Sequence, residues 1–202
     1  MLGLKKVAVT GGLSCGKSSV CRIFKELGAY VISADKIVHH LLSFDKNLGE
    51  KVIDLLGPGV LINKKIDRSR IAERIFQDQD LLRAFEKLIH PIVYEEIEKE
   101  YQKQCHSFPL PSLFIAEIPL LYESGGQKKF DVTIVVISDE KLCEKRFMNA
   151  TGYHLKEFKL RYENQIPLEE KVLQADYIIK NNSSLADLWK ETSDLYHELI
   201  KN

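Results

Sequence analysis

Gly11-Gly12-Leu13-Ser14-Cys15-Gly16-Lys17-Ser18 decides how the rest of this chain is read. The stretch fits the phosphate-binding pattern G-x-x-x-x-G-K-[ST], and its flanks supply the context that the pattern needs. Before it, Lys5-Lys6-Val7-Ala8-Val9-Thr10 is a short β-branched apolar segment suited to a buried strand. After it, Val20, Ile23, Phe24 and Leu27 fall on one helical face. In a strand–loop–helix of this kind, glycines let backbone N–H groups turn inward onto phosphate oxygens. The helix N-terminus adds partial positive charge. Lys17 supplies a mobile full charge, and the Ser18 hydroxyl can ligate Mg²⁺. The stretch therefore predicts a nucleoside triphosphate site.

Composition limits what surrounds that site. At 202 residues the chain is long enough to bury a full core. Its 29 basic and 29 acidic residues cancel, so no global field draws it to nucleic acid or to a membrane. A polyanion must then be held locally, as the loop proposes. No apolar run approaches the ~20 residues needed to cross a bilayer, and the N-terminus does not read as a signal peptide. Cys15, Cys21, Cys105 and Cys143 have neither C-x-x-C spacing nor a His in metal register, so reduced thiols in a soluble cytoplasmic protein are expected. Cys15 lies inside the phosphate loop, where helix-terminal charge could lower a thiol pKa; a redox role there is the less economical reading.

Five segments read as buried strands: Lys5–Thr10, Tyr30–Ser33, Leu113–Ile118, Val132–Ile137 and Tyr177–Lys180. Helical patterns separate them, which predicts an α/β fold with a parallel sheet flanked by helices on both faces. The whole chain is read as one domain carrying a helical insertion at about 36–104 and a helical lid at about 140–173. Ala34–Leu42, Leu48–Leu56, Ser69–Gln77 and Asp80–Gln104 are the insertion's helices, with Pro91 expected to interrupt the last. Leu185, Leu188, Trp189, Leu195 and Leu199 are expected to form the buried face of a closing helix.

A triphosphate site with a metal needs carboxylates near the strand ends. Asp35 follows the second strand and Glu117 ends the third. Asp35 could take a proton from an attacking hydroxyl, join a metal shell, or cap the helix that follows. Glu117, in so apolar a run, would be costly to bury without a partner; it could hold metal-bound water or complete a Walker-B-like site. Arg146 and Arg161 are the lid cations that could cover the γ-phosphate, or else ordinary solvent-facing residues. Lys145, Lys156, Lys159 and Lys171 read as a solvated charged face.

Further elements follow in order along nearly the whole chain: Ala34-Asp35-Lys36-Ile37, Ile66-Asp67-Arg68, Leu88-Ile89-His90-Pro91, Glu117-Ile118-Pro119-Leu120-Leu121-Tyr122-Glu123, Arg161 with Gln165, and Ala175-Asp176-Tyr177-Ile178-Ile179 with Asn181. Together with the phosphate loop they closely resemble the dephospho-CoA kinase family, which catalyses the last step of coenzyme A synthesis. The resemblance implies a P-loop NTPase core with a five-stranded parallel sheet, a helical substrate subdomain and a helical lid. It implies ATP-dependent phosphorylation of the ribose 3′-hydroxyl of dephospho-CoA, with Mg²⁺. It also implies Asp35 as general base, with Lys17 and Arg146 as further catalytic groups. Gly12, Ser14, Cys15, Gly16, Lys17, Ser18 and Ser19 would cradle the nucleotide, Arg161 and Asn181 would contact it, and Asn181 would lie near adenine. Asp35, Asp67, Arg68, His90, Glu117 and Leu120 would meet the acceptor; Ser18 and Glu117 would hold the metal. The sequence sets no oligomeric state.

Some positions depart from the family pattern. Ser14 replaces a loop glycine, Ser33 a common aspartate and His39 a frequent arginine, while Ala150 stands where a lid arginine is usual. Other classes fit less well. A GTPase switch would need N-K-x-D, but Asn63-Lys64-Lys65-Ile66 ends in isoleucine; Asp54-Leu55-Leu56-Gly57 fits D-x-x-G but follows helical sequence. A nucleoside or nucleotide kinase shares the architecture, and Ala150 raises an inactive ATP-binding module. If a cationic clamp is missing, Ala150→Arg is expected to raise the rate of phosphoryl transfer in a steady-state assay; an unchanged rate would show that the charge is supplied elsewhere.

Overall fold

A computed structural model describes residues 3–201. The chain divides into two compact units, one formed by Met1–Ser33 with Glu98–Asn202 and the other by Ala34–Ile97. In the first, strands β1 (Lys6–Gly11), β2 (Tyr30–Ser33), β5 (Phe114–Glu117), β6 (Val132–Ile137) and β7 (Tyr177–Lys180) form one parallel sheet in the order β2-β5-β1-β6-β7. All five expected strands are present, each within a residue of its anticipated ends. β1 is central and buried along its whole length, as its Val7-Ala8-Val9 run requires of a strand covered on both faces.

Helix α1 (Lys17–Glu26) follows the phosphate loop and buries Val20, Cys21, Ile23 and Phe24. It packs against α9 (Leu185–Lys201), where Phe24 and Tyr196 approach at 6.4 Å between ring centroids. The buried stripe of α9 runs through Leu188, Thr192, Leu195, Tyr196 and Leu199. Leu185 and Trp189, expected in that stripe, are instead exposed. Leu185 sits in the overhanging first turn, and Trp189 at the margin of the stripe.

Three helices, α6 (Glu140–Thr151), α7 (Leu155–Glu163) and α8 (Leu168–Leu173), fill the stretch read as a lid. Cys143, Phe147 and Phe158 from this stretch belong to the main hydrophobic core with Val9, Phe24 and Ile179. Lys171, expected on a solvated face, is wholly buried. Charge composition alone concealed these anchors, because a few buried positions suffice to fasten short helices.

The second unit contains α2 (Ala34–Phe44), α3 (Lys46–Leu56), α4 (Arg68–Ile75) and the first part of α5 (Gln79–Cys105), within which the unit boundary falls. Asp45 and Asp67 cap α3 and α4, their side chains accepting from the backbone N–H of Leu48 and Arg70 at 3.0 Å each. α5 runs unbroken through Pro91, contrary to the expected interruption. Proline forfeits one amide hydrogen bond, and buried Ile89, Val93 and Ile97 secure the helix on both sides of it. A small antiparallel pair, β3 (Leu61–Ile62) with β4 (Lys65–Ile66), went unread because two residues per strand show no alternation. Its turn places Asn63 at φ 49° and Lys64 at φ 62°, the left-handed pair of a type I′ hairpin. Asn63-Lys64 is therefore a hairpin turn and no guanine reader, while Asp54 to Leu56 lies within α3.

Phe24 ties the helix behind the phosphate loop to the sheet and to α9. Phe24→Ala is expected to cost about 3–5 kcal/mol, read as a lower urea midpoint at unchanged slope.

Candidate active site

Parallel pairing brings the carboxyl ends of β1, β2, β5, β6 and β7 to one edge of the sheet. The register places Gly11 beside Val136, and both Val9 and Ser33 beside Glu117. In open α/β sheets, ligands bind beyond this edge, where strand order switches direction. β1, flanked by β5 and β6, is at that point.

The loop leaves β1 at Gly11, whose φ is 146°; a Cβ there would lie 2.1 Å from the carbonyl oxygen of Val136. Ser14 takes φ 56°, so the substitution seen in sequence does occupy a left-handed position, at a strain of about 1–2 kcal/mol. Gly16 opens α1 at φ 98°, and its carbonyl accepts from the N–H groups of Ser19 and Val20 at 3.0 and 3.2 Å. The earlier amides of the first turn have no partner within the helix, which is the general basis of anion binding at a helix start. Lys17 is nearly buried, and its ammonium donates to the carbonyls of Gly12 at 2.8 Å and Gly11 at 3.4 Å. The cation thus lies along the inside of its own loop.

Ser18 and Glu117 meet: the Ser18 hydroxyl donates to Glu117 Oε1 at 2.6 Å. Glu117 is half-buried, and this bond supplies the partner that its apolar strand demands. Thr10, wholly buried, donates its hydroxyl to the carbonyl of Pro119 at 3.2 Å, fixing the turn that follows β5. Leu120 lies in that turn, its carbonyl accepting from the Ser124 hydroxyl at 2.7 Å.

Arg146 and Asn181 are drawn together by bonds to one another, to Ser138 and to the phosphate loop. Arg146 donates to Ser138 Oγ at 3.1 Å and to the carbonyl of Asn181 at 3.1 Å. The Asn181 side-chain amide donates to the carbonyl of Cys15 at 2.8 Å. Arg161 stacks near two rings, its guanidinium carbon 5.2 Å from the centroid of Tyr153 and 5.7 Å from that of Phe147. Ala150 is exposed near the end of α6.

Asp35, Asp67, Arg68 and His90 belong to the second unit. Asp35 is exposed in the first turn of α2, one residue past its start, and makes none of the capping bonds of Asp45 and Asp67. Arg68 is the exposed first residue of α4, and His90 a half-buried residue inside α5.

Sequence reasoning missed a buried ion pair beside the loop. Lys171 Nζ lies 2.7 Å from Glu123 Oε1, and the same oxygen accepts from the Ile166 N–H at 3.0 Å. Leu168, one turn earlier in α8, would stand 3.8 Å from a Cβ on Gly12. Burial pushes the Lys171 ammonium below its ordinary pKa, and the Glu123 carboxylate opposes that shift. The Pro-Leu-Leu-Tyr-Glu run marked Glu123, but nothing in the sequence paired it with Lys171. Burial also pushes the Cys143 thiol up to about 11 and that of Cys21 well above its ordinary value, so neither is a ready thiolate.

The sheet order, the phosphate loop at its switch point and the Ser18–Glu117 contact define a P-loop small-molecule kinase. A crystal structure of shikimate kinase from Bacteroides thetaiotaomicron shares this fold, with a TM-score of 0.55 at 14% identity, 96% of this chain and 98% of that chain being covered. The chain belongs to the dephospho-CoA kinase family, whose model, described as dephospho-CoA kinase, matches residues 5–187. It is 55% identical over 199 residues to the dephospho-CoA kinase of Protochlamydia amoebophila, with 98% of each chain covered. The dephospho-CoA kinase of Chlamydia abortus is 43% identical over 199 residues, again with 98% of each covered. The solved dephospho-CoA kinase from Campylobacter jejuni aligns with a TM-score of 0.69 and 34% identity over 96% of each chain.

Lys171→Ala would leave the Glu123 carboxylate buried without its cation. It is expected to destabilise the fold by about 3–5 kcal/mol in chemical denaturation. The double variant Lys171→Met with Glu123→Gln is expected to recover much of that loss.

Proposed function

We propose that this chain transfers the γ-phosphoryl group of ATP to the ribose 3′-hydroxyl of dephospho-CoA, releasing coenzyme A and ADP. The observation that carries the chemistry is the 2.6 Å contact between the Ser18 hydroxyl and the Glu117 carboxylate beside the phosphate loop. Family membership carries the choice of acceptor.

Two hard oxygen donors fit Mg²⁺, which keeps several waters and phosphate oxygens in its shell and needs few protein ligands. Ser18 and Glu117 would hold the ion, which when bound would neutralise charge on the polyphosphate. The main-chain amides of Gly12, Ser14, Gly16, Lys17 and Ser18 are the donors we assign to phosphate oxygens, held by the glycine geometry at Gly11 and Gly16 and by the start of α1. Those of Cys15 and Ser19 already donate to the carbonyls of Gly12 at 3.4 Å and Gly16 at 3.0 Å. Lys17 can exchange the Gly12 carbonyl for a phosphate oxygen by rotating its flexible stem.

Transfer forms one bond from the acceptor oxygen to phosphorus and breaks the bond to the ADP oxygen. The hydroxyl proton must leave, and Asp35 is the group we assign to take it. An exposed carboxylate without a capping bond is available for that role. Asp67, Arg68 and His90 are assigned to holding the acceptor, and Arg161 to the nucleotide. A cytoplasmic setting accords with buried free thiols at Cys15, Cys21 and Cys143. Among the described residues, no helix is long and apolar enough to cross a membrane.

Incubation with ATP, Mg²⁺ and dephospho-CoA should yield coenzyme A, whereas nucleosides offered in its place should remain unphosphorylated; the reverse result would favour a nucleoside kinase. Asp35→Asn is expected to lower kcat by about 10²–10⁴-fold with ATP affinity nearly intact, since a base serves transfer rather than docking. Steady-state kinetics with calorimetric titration of ATP read both quantities, and near-normal turnover would remove Asp35 from the mechanism.

A further inference from the structure

Asn181, one residue beyond β7, reaches the phosphate loop from the far end of the sequence, and every polar group it has is engaged. Its backbone N–H donates to the carbonyl of Ile137 at 2.9 Å. Its own carbonyl accepts from Ser138 Oγ at 2.8 Å and from Arg146 at 3.1 Å. The carboxamide oxygen accepts from the same Arg146 nitrogen at 3.4 Å, while the carboxamide nitrogen donates to the carbonyl of Cys15 at 2.8 Å. That nitrogen also occupies the place of a β-carbon on Gly16, 2.1 Å from where one would stand. The side chain is buried at 7% exposure, and its orientation is forced. Turned over, it would set oxygen against the Cys15 carbonyl and an amino group against the Arg146 guanidinium.

The consequence lies in one peptide plane. The Cys15 carbonyl and the Gly16 N–H belong to the same planar trans unit and point in opposite directions. Holding the carbonyl toward Asn181 therefore aims the Gly16 N–H away from it. The same hydrogen bond holds Gly16 at φ 98°, where α1 begins and where Lys17 and Ser18 take their direction.

We infer that Asn181, oriented by Arg146 and Ser138, is a positioning residue that aims the Gly16 amide at polyphosphate, acting through the loop and without touching the nucleotide base. This rests on the kinase function proposed above and revises the adenine-side role that resemblance gives Asn181. It likewise gives Arg146 a holding role, set by its bonds to Ser138 and Asn181.

Inorganic tripolyphosphate separates the two roles, because it has phosphates and no base. Full-length protein, wild type and Asn181→Asp, would be titrated calorimetrically with Mg-ATP and with Mg-tripolyphosphate. Positioning predicts that both ligands weaken by the same factor, about ten- to a hundredfold. KM for ATP should rise while KM for dephospho-CoA stays unchanged. A loss confined to ATP would assign Asn181 to the base and overturn the inference, as would unchanged affinity for both. Should Asn181→Asp fail to fold, as circular dichroism would report, Arg146→Lys provides the same test. It keeps the charge but loses the planar fork, and a smaller but equal weakening of both ligands is expected; unchanged tripolyphosphate affinity overturns the inference. A wild type that binds neither ligand would instead sink the kinase reading itself.

Discussion

At the carboxyl edge of the sheet, a carbonyl of β6 and a side-chain carboxamide just past β7 approach the phosphate loop so closely that neither Gly11 nor Gly16 could carry a β-carbon. The Val136 carbonyl lies 2.1 Å from a virtual β-carbon on Gly11, and the side-chain carboxamide nitrogen of Asn181 is equally close to one on Gly16. These two contacts hold the loop between β6 on one side and the end of β7 on the other. A cradle of amides works only if its N–H groups already point inward, since turning them at the moment of binding would cost what binding gains. Tight packing around both glycines restricts how far the loop's peptide planes can turn. Between the two glycines, Ser14 is held left-handed at φ 56°.

Around the loop, charge is fastened more than displayed. Arg146 is spent on Ser138 and Asn181, Lys171 on Glu123, and Lys17 on the loop's own carbonyls. Of these, Lys17 donates to the neutral carbonyls of Gly11 and Gly12 through a long stem, so it can be redirected at little cost. Lys171 cannot be, because the buried Glu123 carboxylate would lose its counter-ion. Helices α6 and α7 are likewise tied to the core by Cys143, Phe147 and Phe158. The α6–α7 joint at Gly152 (φ 72°) lies between two of these anchors, Phe147 and Phe158.

Much of this was legible in the chain itself. Strand β1, the loop and α1 follow from local rules: β-branched residues pack as a buried strand, glycines permit the turn, and apolar spacing defines a helical face. Glu117 was legible as well, because a carboxylate in so apolar a run demands a partner. What sequence could not supply was the partner for each charge. Ser18 and Glu117 are 99 residues apart, and Asn181 and Cys15 166 apart, so only the strand order brings them together. Lys171 looked solvated for the same reason, its counter-ion lying in a turn after β5. The β3–β4 hairpin escaped through brevity, and the burial of α9 shifted because the neighbour, not the periodicity, chooses which part of an apolar stripe is covered. Local chemistry thus determined that the chain carries a phosphate-loop motif between a buried strand and a helix; tertiary packing alone decided which of its donors and charges are paired, since burial and pairing depend on residues remote in sequence.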